Sequence, residues 1–288
     1  MKVLSLFNGI SGCHLALDKA EIKVDTLYYA EIDKYANKVT EMQYPEDIPL
    51  GDVTKWEDWD IEWSEIDLVT AGFPCQAWSV AGKGLGDKDE RGKMFWTTLD
   101  IIKKVLDNNP KAKFMLENVK MKKEFEEYIT FHTTEALGEV HKTLINSALV
   151  SAQNRNRYYW TNFEVSQPKD RGLILSDIII DKESEKFVED TVRNLRHERK
   201  HSQKSLACTA TMYKGAGNNG MSLIRRVHQK DNKLSVLTVN EAELLQTIPI
   251  DFTKGISNTQ RYKAIGNGWT IDVIAHIFKC AFNKAVHS

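Results

Sequence analysis

The chain has 288 residues, 42% of them hydrophobic and 27% charged, with a formal net charge of −1. This composition fits a globular protein of one large domain, or one with a smaller companion, and no apolar run reaches the roughly 18 residues a membrane-spanning helix needs. Cys13, Cys75, Cys208 and Cys280 are scattered and form no C-x-x-C pair, which argues against a disulfide framework or a zinc ribbon and predicts a reducing, cytoplasmic setting.

The N-terminal KVLSLF (2–7) reads as a buried strand rather than a signal peptide. The turn residues Asn8 to Gly12 then lead into an apolar-periodic helix ending near Ala20. TLYYAEI (26–32) predicts a second strand, followed by a helix to about Tyr44. IDLVTA (66–71) is a continuous apolar run of the kind a central parallel strand carries. A helix is expected over 94–106, a strand at KFML (113–116), a helix over 120–137 and a further strand at YYWTNF (158–163). This alternation predicts an α/β fold, a doubly wound, mainly parallel sheet covered by helices on both faces. Ligands of such sheets bind beyond the C-terminal strand ends, where Asn8–Gly12, Glu31, Gly72–Ser79 and Glu117 all fall.

After Asn162 the pattern breaks. From Arg196 to Lys233 nine Lys/Arg face two Asp/Glu, a local balance of +7 that leaves −8 on the remainder. That stretch reads as a solvated surface or as a lobe facing a polyanion. Helix signals return at NEAELLQ (240–246) and in a closing helix to about Asn283. The expected organisation is 1–164, a second smaller unit at 165–233, and 234–288 returning to the first.

Several stretches carry chemistry. The glycines of FNGISG (7–12) permit a tight turn and close approach of a ligand to backbone amides. Glu31 can accept from ribose hydroxyls and Asp52 from an adenine amino group, and no phosphate-binding lysine accompanies them. Cys75, in GFPCQAWS (72–79), could be core filler, half of a disulfide, a metal ligand or a nucleophile. As a nucleophile it needs positive or hydrogen-bonding support, for which Glu117, Arg155 and Arg157 are candidates. HERKH (197–201) has the spacing of a zinc hydrolase. Its Arg, Lys, Ser and Gln neighbours offer little apolar face for a buried metal helix, so no metal is expected.

In this order the stretches resemble the cytosine-5 DNA methyltransferases. FNGISG is similar to that family's S-adenosylmethionine loop, GFPCQ to its nucleophile loop, Glu117-Asn118-Val119 to its ENV motif and QNRNR (153–157) to its Q-x-R-x-R motif. LTVNEAELLQTIP (237–249) and GNGWT (266–270) resemble the two C-terminal motifs. Three positions depart from the pattern: Ser11 where glycine is common, Gly268 where serine is usual, and Ser235 where an arginine often stands.

The resemblance implies the S-adenosylmethionine-dependent methyltransferase fold with a smaller DNA-recognition domain at 165–233. It implies transfer to carbon 5 of a cytosine flipped out of double-stranded DNA, with Cys75 adding to carbon 6 and Glu117 holding the base edge. Arg155 and Arg157 would hold the base carbonyl, the backbone or Glu117. Cofactor contacts are expected from Phe7, Gly9, Ile10, Ser11, Gly12, Glu31, Ile32, Asp52, Val53, Pro74, Asn267 and Trp269. DNA contacts are expected from Gln76, Ser79, Lys83 and Arg91 in a glycine-rich lid, and from Thr209, Lys214, Arg225 and Arg226. The protein would act as a monomer, and a tRNA-modifying relative of the same fold is the alternative.

Overall fold

A computed structural model describes residues 1–74, 90–180, 187–214, 222–226 and 233–282. Cys75, Gln76, Ser79 and Lys83, with most of the expected lid, lie outside the described residues, as does the side chain of Arg91.

The first part of the chain alternates as expected: β1 Lys2–Leu6, α1 Gly12–Lys19, β2 Thr26–Ala30, α2 Lys34–Gln43, β3 Ile48–Gly51, β4 Ile66–Ala71, α3 Glu90–Asn108, β5 Lys113–Val119 and α4 Lys123–Leu137. Then come β6 His141–Asn146, β7 Gln153–Asn154 and β8 Asn156–Thr161. The main sheet runs β3-β2-β1-β4-β5-β8-β6. Its first five strands are parallel, and β8 is antiparallel to both β5 and β6. Two apolar layers flank it. One holds Leu4, Phe95, Phe114 and Trp160; the other holds Val3, Leu17, Met115 and Phe278.

Parallel strands in the middle of a sheet must be apolar on both faces, and IDLVTA (66–71) in β4 is buried throughout except at half-buried Asp67. The chain leaves β1 toward β2 and β3, then returns to β4 on the other side. The point where strand order reverses therefore lies between β1 and β4, where such folds bind ligands.

The later part holds β9 Phe187–Val188, α5 Val192–Leu195, β10 Ser205–Leu206, β11 Leu223–Arg225, β12 Leu234–Val236, α6 Val239–Leu245, α7 Asn258–Asn267 and α8 Ile271–Phe282. β12 pairs antiparallel with β11 and β9 in a small sheet. β12 therefore completes a sheet begun upstream of residue 234. Leu223 and Leu234 share an apolar cluster with Ala242, Leu245 and Ile265, so α6 and α7 pack on the small sheet too.

The closing helix goes back to the first part. Ile271, Ile274 and Phe278 recur at helical spacing and are buried in one cluster with Cys13 and Leu17 of α1. Each such side chain contributes about 1.5–3 kcal/mol of burial. At the join, a Cβ on Gly266 would lie 2.1 Å from the Thr209 carbonyl carbon. Only glycine fits there, because the backbone of the small lobe rests directly on α7.

Candidate active site

Sheet register assembles the site. Leu6 of β1 is level with Ala30 of β2 and Ala71 of β4, and Ala71 is level with Leu116 of β5. Phe7, Glu31, Gly72 and Glu117 are the next residues on their four strands, so they emerge side by side at one edge. β5 runs on to Val119 rather than ending at Leu116. Glu117 is therefore held in the sheet, which fixes its backbone better than a loop would.

A cavity of about 440 Å³ opens at this edge, lined by Phe7, Gly9, Ile10, Gly12, Glu31, Ile32, Asp52, Val53, Pro74, Asn267 and Trp269. Of the expected cofactor residues, Ser11 alone does not line it. Ser11 is fully buried with φ 59° and ψ 40°, a left-handed conformation that suits the glycine common at this place in the resembling family. Its hydroxyl donates to Asp47, 3.2 Å away. Phe7 and Gly9 also have positive φ, so the loop is held in a tight, strained path.

Glu31 is what holds that path. Its Oε2 accepts from the Gly9 amide at 2.8 Å, and its Oε1 accepts from the amides of Ile32 and Asp33, both at 2.8 Å. One lone pair of Oε2 remains for a ligand hydroxyl. Asp52 accepts through Oδ1 from the amide and hydroxyl of Thr54, both at 2.9 Å. The hydrogen bond from the Thr54 amide keeps its carboxyl below the usual range, so it serves as an acceptor at neutral pH. Ile32 leaves 77% of its surface open at the rim, an apolar face of the kind a purine covers. Lys263, paired with Asp33 at 2.8 Å, and Gln260 complete the wall. The sequence reading missed both, since α7 is polar and carries little apolar period.

Glu117 sits beside the cavity, 8% exposed. Arg157 Nε donates to its Oε1 at 2.9 Å, and Trp269 Nε1 donates to its Oε2 at 3.2 Å. The neighbouring Asn118 donates to the carbonyl of Phe73 at 3.1 Å. One strand end thus aims the acid and fastens the backbone two residues before Cys75.

Arg155 does something different. It is buried and donates to the carbonyls of Cys208 at 2.7 Å and Gly268 at 2.9 Å. Burial, and then the nearby charge of Arg157, pull its pKa down to about 10, which still leaves it charged at neutral pH. It ties the sheet edge to the small lobe and the C-terminal motif through these two backbone carbonyls.

The expected DNA contacts divide. Thr209 is half-buried against Gly266, and Lys214 is exposed at the end of a short turn of helix. Arg225 is engaged by Asp190 at 2.8 Å and Glu198 at 3.0 Å. Arg226 is corrected by the structure: it is 2% exposed, and both its Nη atoms lie 2.7 Å from the carboxylate oxygens of buried Glu241. Its Nε reaches Ser235 Oγ at 3.2 Å. Arg226 therefore places a guanidinium beside the serine that replaces the family's usual arginine, and it is unavailable to phosphate.

The HERKH spacing forms no metal helix either. His197 lies in one turn and His201 in the next, with Glu198 bridged to Leu223 between them, and Glu198 pairs with Arg225.

A family model described as C-5 cytosine-specific DNA methylase matches residues 1–221 and 180–283. The chain belongs to the C-5 cytosine-specific DNA methylase family. The methylase is 33% identical, over 95% of its length and 76% of the relative's, to the Type II methyltransferase M1.ScrFI of Lactococcus lactis subsp. cremoris. It is 28% identical to the Type II methyltransferase M.HhaI of Haemophilus parahaemolyticus, over 96% of its own chain and 93% of that one. In fold it is similar to the Entamoeba histolytica methyltransferase EhMeth, with a TM-score of 0.78 at 17% identity over 98% of both chains. A DNMT2 mutant of Spodoptera frugiperda gives 0.73 at 23% identity, over 98% of the methylase and 99% of that chain. Among the described residues, no helix of the methylase is long and apolar enough to cross a membrane.

Proposed function

We propose that this methylase transfers a methyl group from S-adenosylmethionine to carbon 5 of a cytosine flipped out of duplex DNA, through an adduct of Cys75 with carbon 6. The observation that carries the reading is the doubly held carboxylate of Glu117, set beside the cavity and one strand away from the backbone that leads into Cys75. The cavity suits the cofactor. Glu31 and Asp52 offer acceptors for ribose and adenine, Phe7 and Ile32 offer apolar faces, and the Gly9 loop brings backbone close.

When bound, S-adenosylmethionine supplies an electrophilic methyl group. The residues of the chain prepare the base to receive it. The Cys75 thiolate adds to carbon 6, and the electron pair displaced from the ring double bond makes carbon 5 nucleophilic. Each oxygen of Glu117 has spent one lone pair, on Arg157 and on Trp269, and keeps another: one accepts from the exocyclic amine, and the other accepts from N3–H once that nitrogen takes up a proton as Cys75 adds. Stabilisation of this kind is worth about 10²–10⁴ in rate. Carbon 5 takes the methyl group; its proton then passes to solvent water, the freed electron pair re-forms the ring double bond as Cys75 leaves as thiolate, and N3 gives up its proton.

Duplex DNA is favoured over tRNA by the Type II relatives aligned along nearly the whole chain, and the basic stretch 196–233 supplies charge for phosphate contacts, which position without specifying. A role in a restriction-modification system follows from the same relatives.

The test offers duplex DNA and tRNA in competition for labelled S-adenosylmethionine, with a 5-fluorocytosine duplex to trap the adduct. Label in DNA, and trapping that disappears in Cys75→Ser, is the expected result. Label only in tRNA moves the substrate to RNA. Equal trapping of the serine variant removes Cys75 as nucleophile.

A further inference from the structure

We infer that Trp269 is a positioning residue for Glu117, its indole joining the cofactor loop, the entrance to the nucleophile loop and the acid at one place. The inference rests on the proposed role of Glu117 and adds to it a residue for which the GNGWT resemblance implied only cofactor contact.

Four observations carry it. The indole N–H, a donor only, lies 3.2 Å from Glu117 Oε2, opposite the Arg157 contact on Oε1. Donors on both oxygens fix the tilt of the carboxylate as well as its place.

The ring is closely bracketed. A Cβ at Gly72 would lie 3.0 Å from the indole nitrogen and 3.2 Å from Glu117 Oε2, and a Cβ at Gly12 would lie 3.7 Å from the ring's other edge. Gly72 begins the GFPCQ stretch and Gly12 ends FNGISG. Two of the three motifs that meet here are glycine at the contact, which lets the third bring in the ring.

The backbone on either side of the ring is locked. The Gly268 carbonyl accepts from Arg155 at 2.9 Å and from Gln246 at 3.0 Å. Thr270 Oγ1 is bound by Gln246 at 2.8 Å and Ser147 at 2.9 Å. These bonds fix the backbone from which the ring projects. Finally, the same ring lines the cofactor cavity, so the group that aims the acid also meets the ligand beside it.

Phenylalanine keeps an aromatic plate and removes the donor. Single-turnover methylation of duplex DNA at saturating S-adenosylmethionine is measured for wild type, Trp269→Phe, Glu117→Gln and the double variant, with cofactor affinity by calorimetry. In Trp269→Phe the rate is expected to fall at least about tenfold, since the acid it aims is worth more than that, while cofactor affinity moves less than about threefold. In the Glu117→Gln background the same change should cost less than about twofold, because the two residues act as one unit.

Gly72→Ala gives a second approach, wedging a methyl group into the pair from the other side without altering the indole. It should also lower the rate and spare cofactor affinity. A wild-type rate in Trp269→Phe overturns the inference, as does an equal loss in both backgrounds or a loss confined to cofactor affinity. Should Trp269→Phe fail to fold, a wild-type rate in Gly72→Ala overturns it. A wild-type protein that methylates no cytosine overturns the underlying function, and this inference with it.

Discussion

Arg155 Nη2 lies 2.9 Å from the carbonyl oxygen of Gly268, the residue immediately before Trp269. The two arginines of QNRNR therefore reach the acid by different routes: Arg157 through a direct ion pair, Arg155 through the backbone that carries the indole. Arg155→Ala leaves the Cys208 carbonyl without this donor in a buried place, at a cost of about 1–3 kcal/mol. Urea unfolding should show the loss in Arg155→Ala. Arg155→Lys, with one point donor in place of a fork, should recover only part of it.

Arg226 and Ser235 make a second, sharper prediction. Removing Arg226 strands the fully buried Glu241 carboxylate, which costs about 3–5 kcal/mol. Arg226→Ser is therefore expected to unfold at markedly lower denaturant. Ser235→Arg in that background should restore much of the midpoint, because it returns the guanidinium to the place where the resembling family usually carries it. No recovery in the double variant would show that the two positions are not interchangeable.

Glu31 bears on the cofactor through the loop as much as through direct contact. Replacing it with Ala frees the Gly9, Ile32 and Asp33 amides. Replacing it with Gln puts an amide donor where an acceptor is needed. Both variants should weaken S-adenosylmethionine by about tenfold or more, the scale of one lost charge-assisted hydrogen bond. Calorimetric titration checks this, and an unchanged dissociation constant in both removes Glu31 from the site.

The thiols give a pH-dependent prediction. Burial pushes Cys13 and Cys208 up to about 12. A thiol reacts as thiolate, so at pH 8 only about one in ten thousand of either is reactive in the folded protein. The reactive fraction grows as pH rises toward that value. Iodoacetamide at pH 8 should label half-buried Cys280 well before Cys13 and Cys208, as read by mass spectrometry. Rapid labelling of either buried thiol in folded protein would contradict the packing around it.

By itself the sequence determined the alternation of elements and the parallel sheet, because buried strands and amphipathic helices write their periods locally. It also determined which stretches meet at the strand ends, since FNGISG, Glu31, GFPCQ and Glu117 each directly follow or end an apolar run. It did not determine β6 or α7. The exposed and half-buried HKTLIN carries only Ile145 fully into the core, and NTQRYKAIGN is polar along most of its length.

Only the tertiary structure decided what the charged side chains do. Arg155, Arg157 and Arg226 look alike in a string of letters. One serves two backbone carbonyls, one an acid at the site, and one a buried glutamate, because burial makes each guanidinium take whatever acceptor the fold brings within reach. The pairing of Trp269 with Glu117, 152 residues apart, was likewise beyond any local pattern. It depends on α8 folding back on α1 and carrying the end of the last motif to the edge of the first sheet.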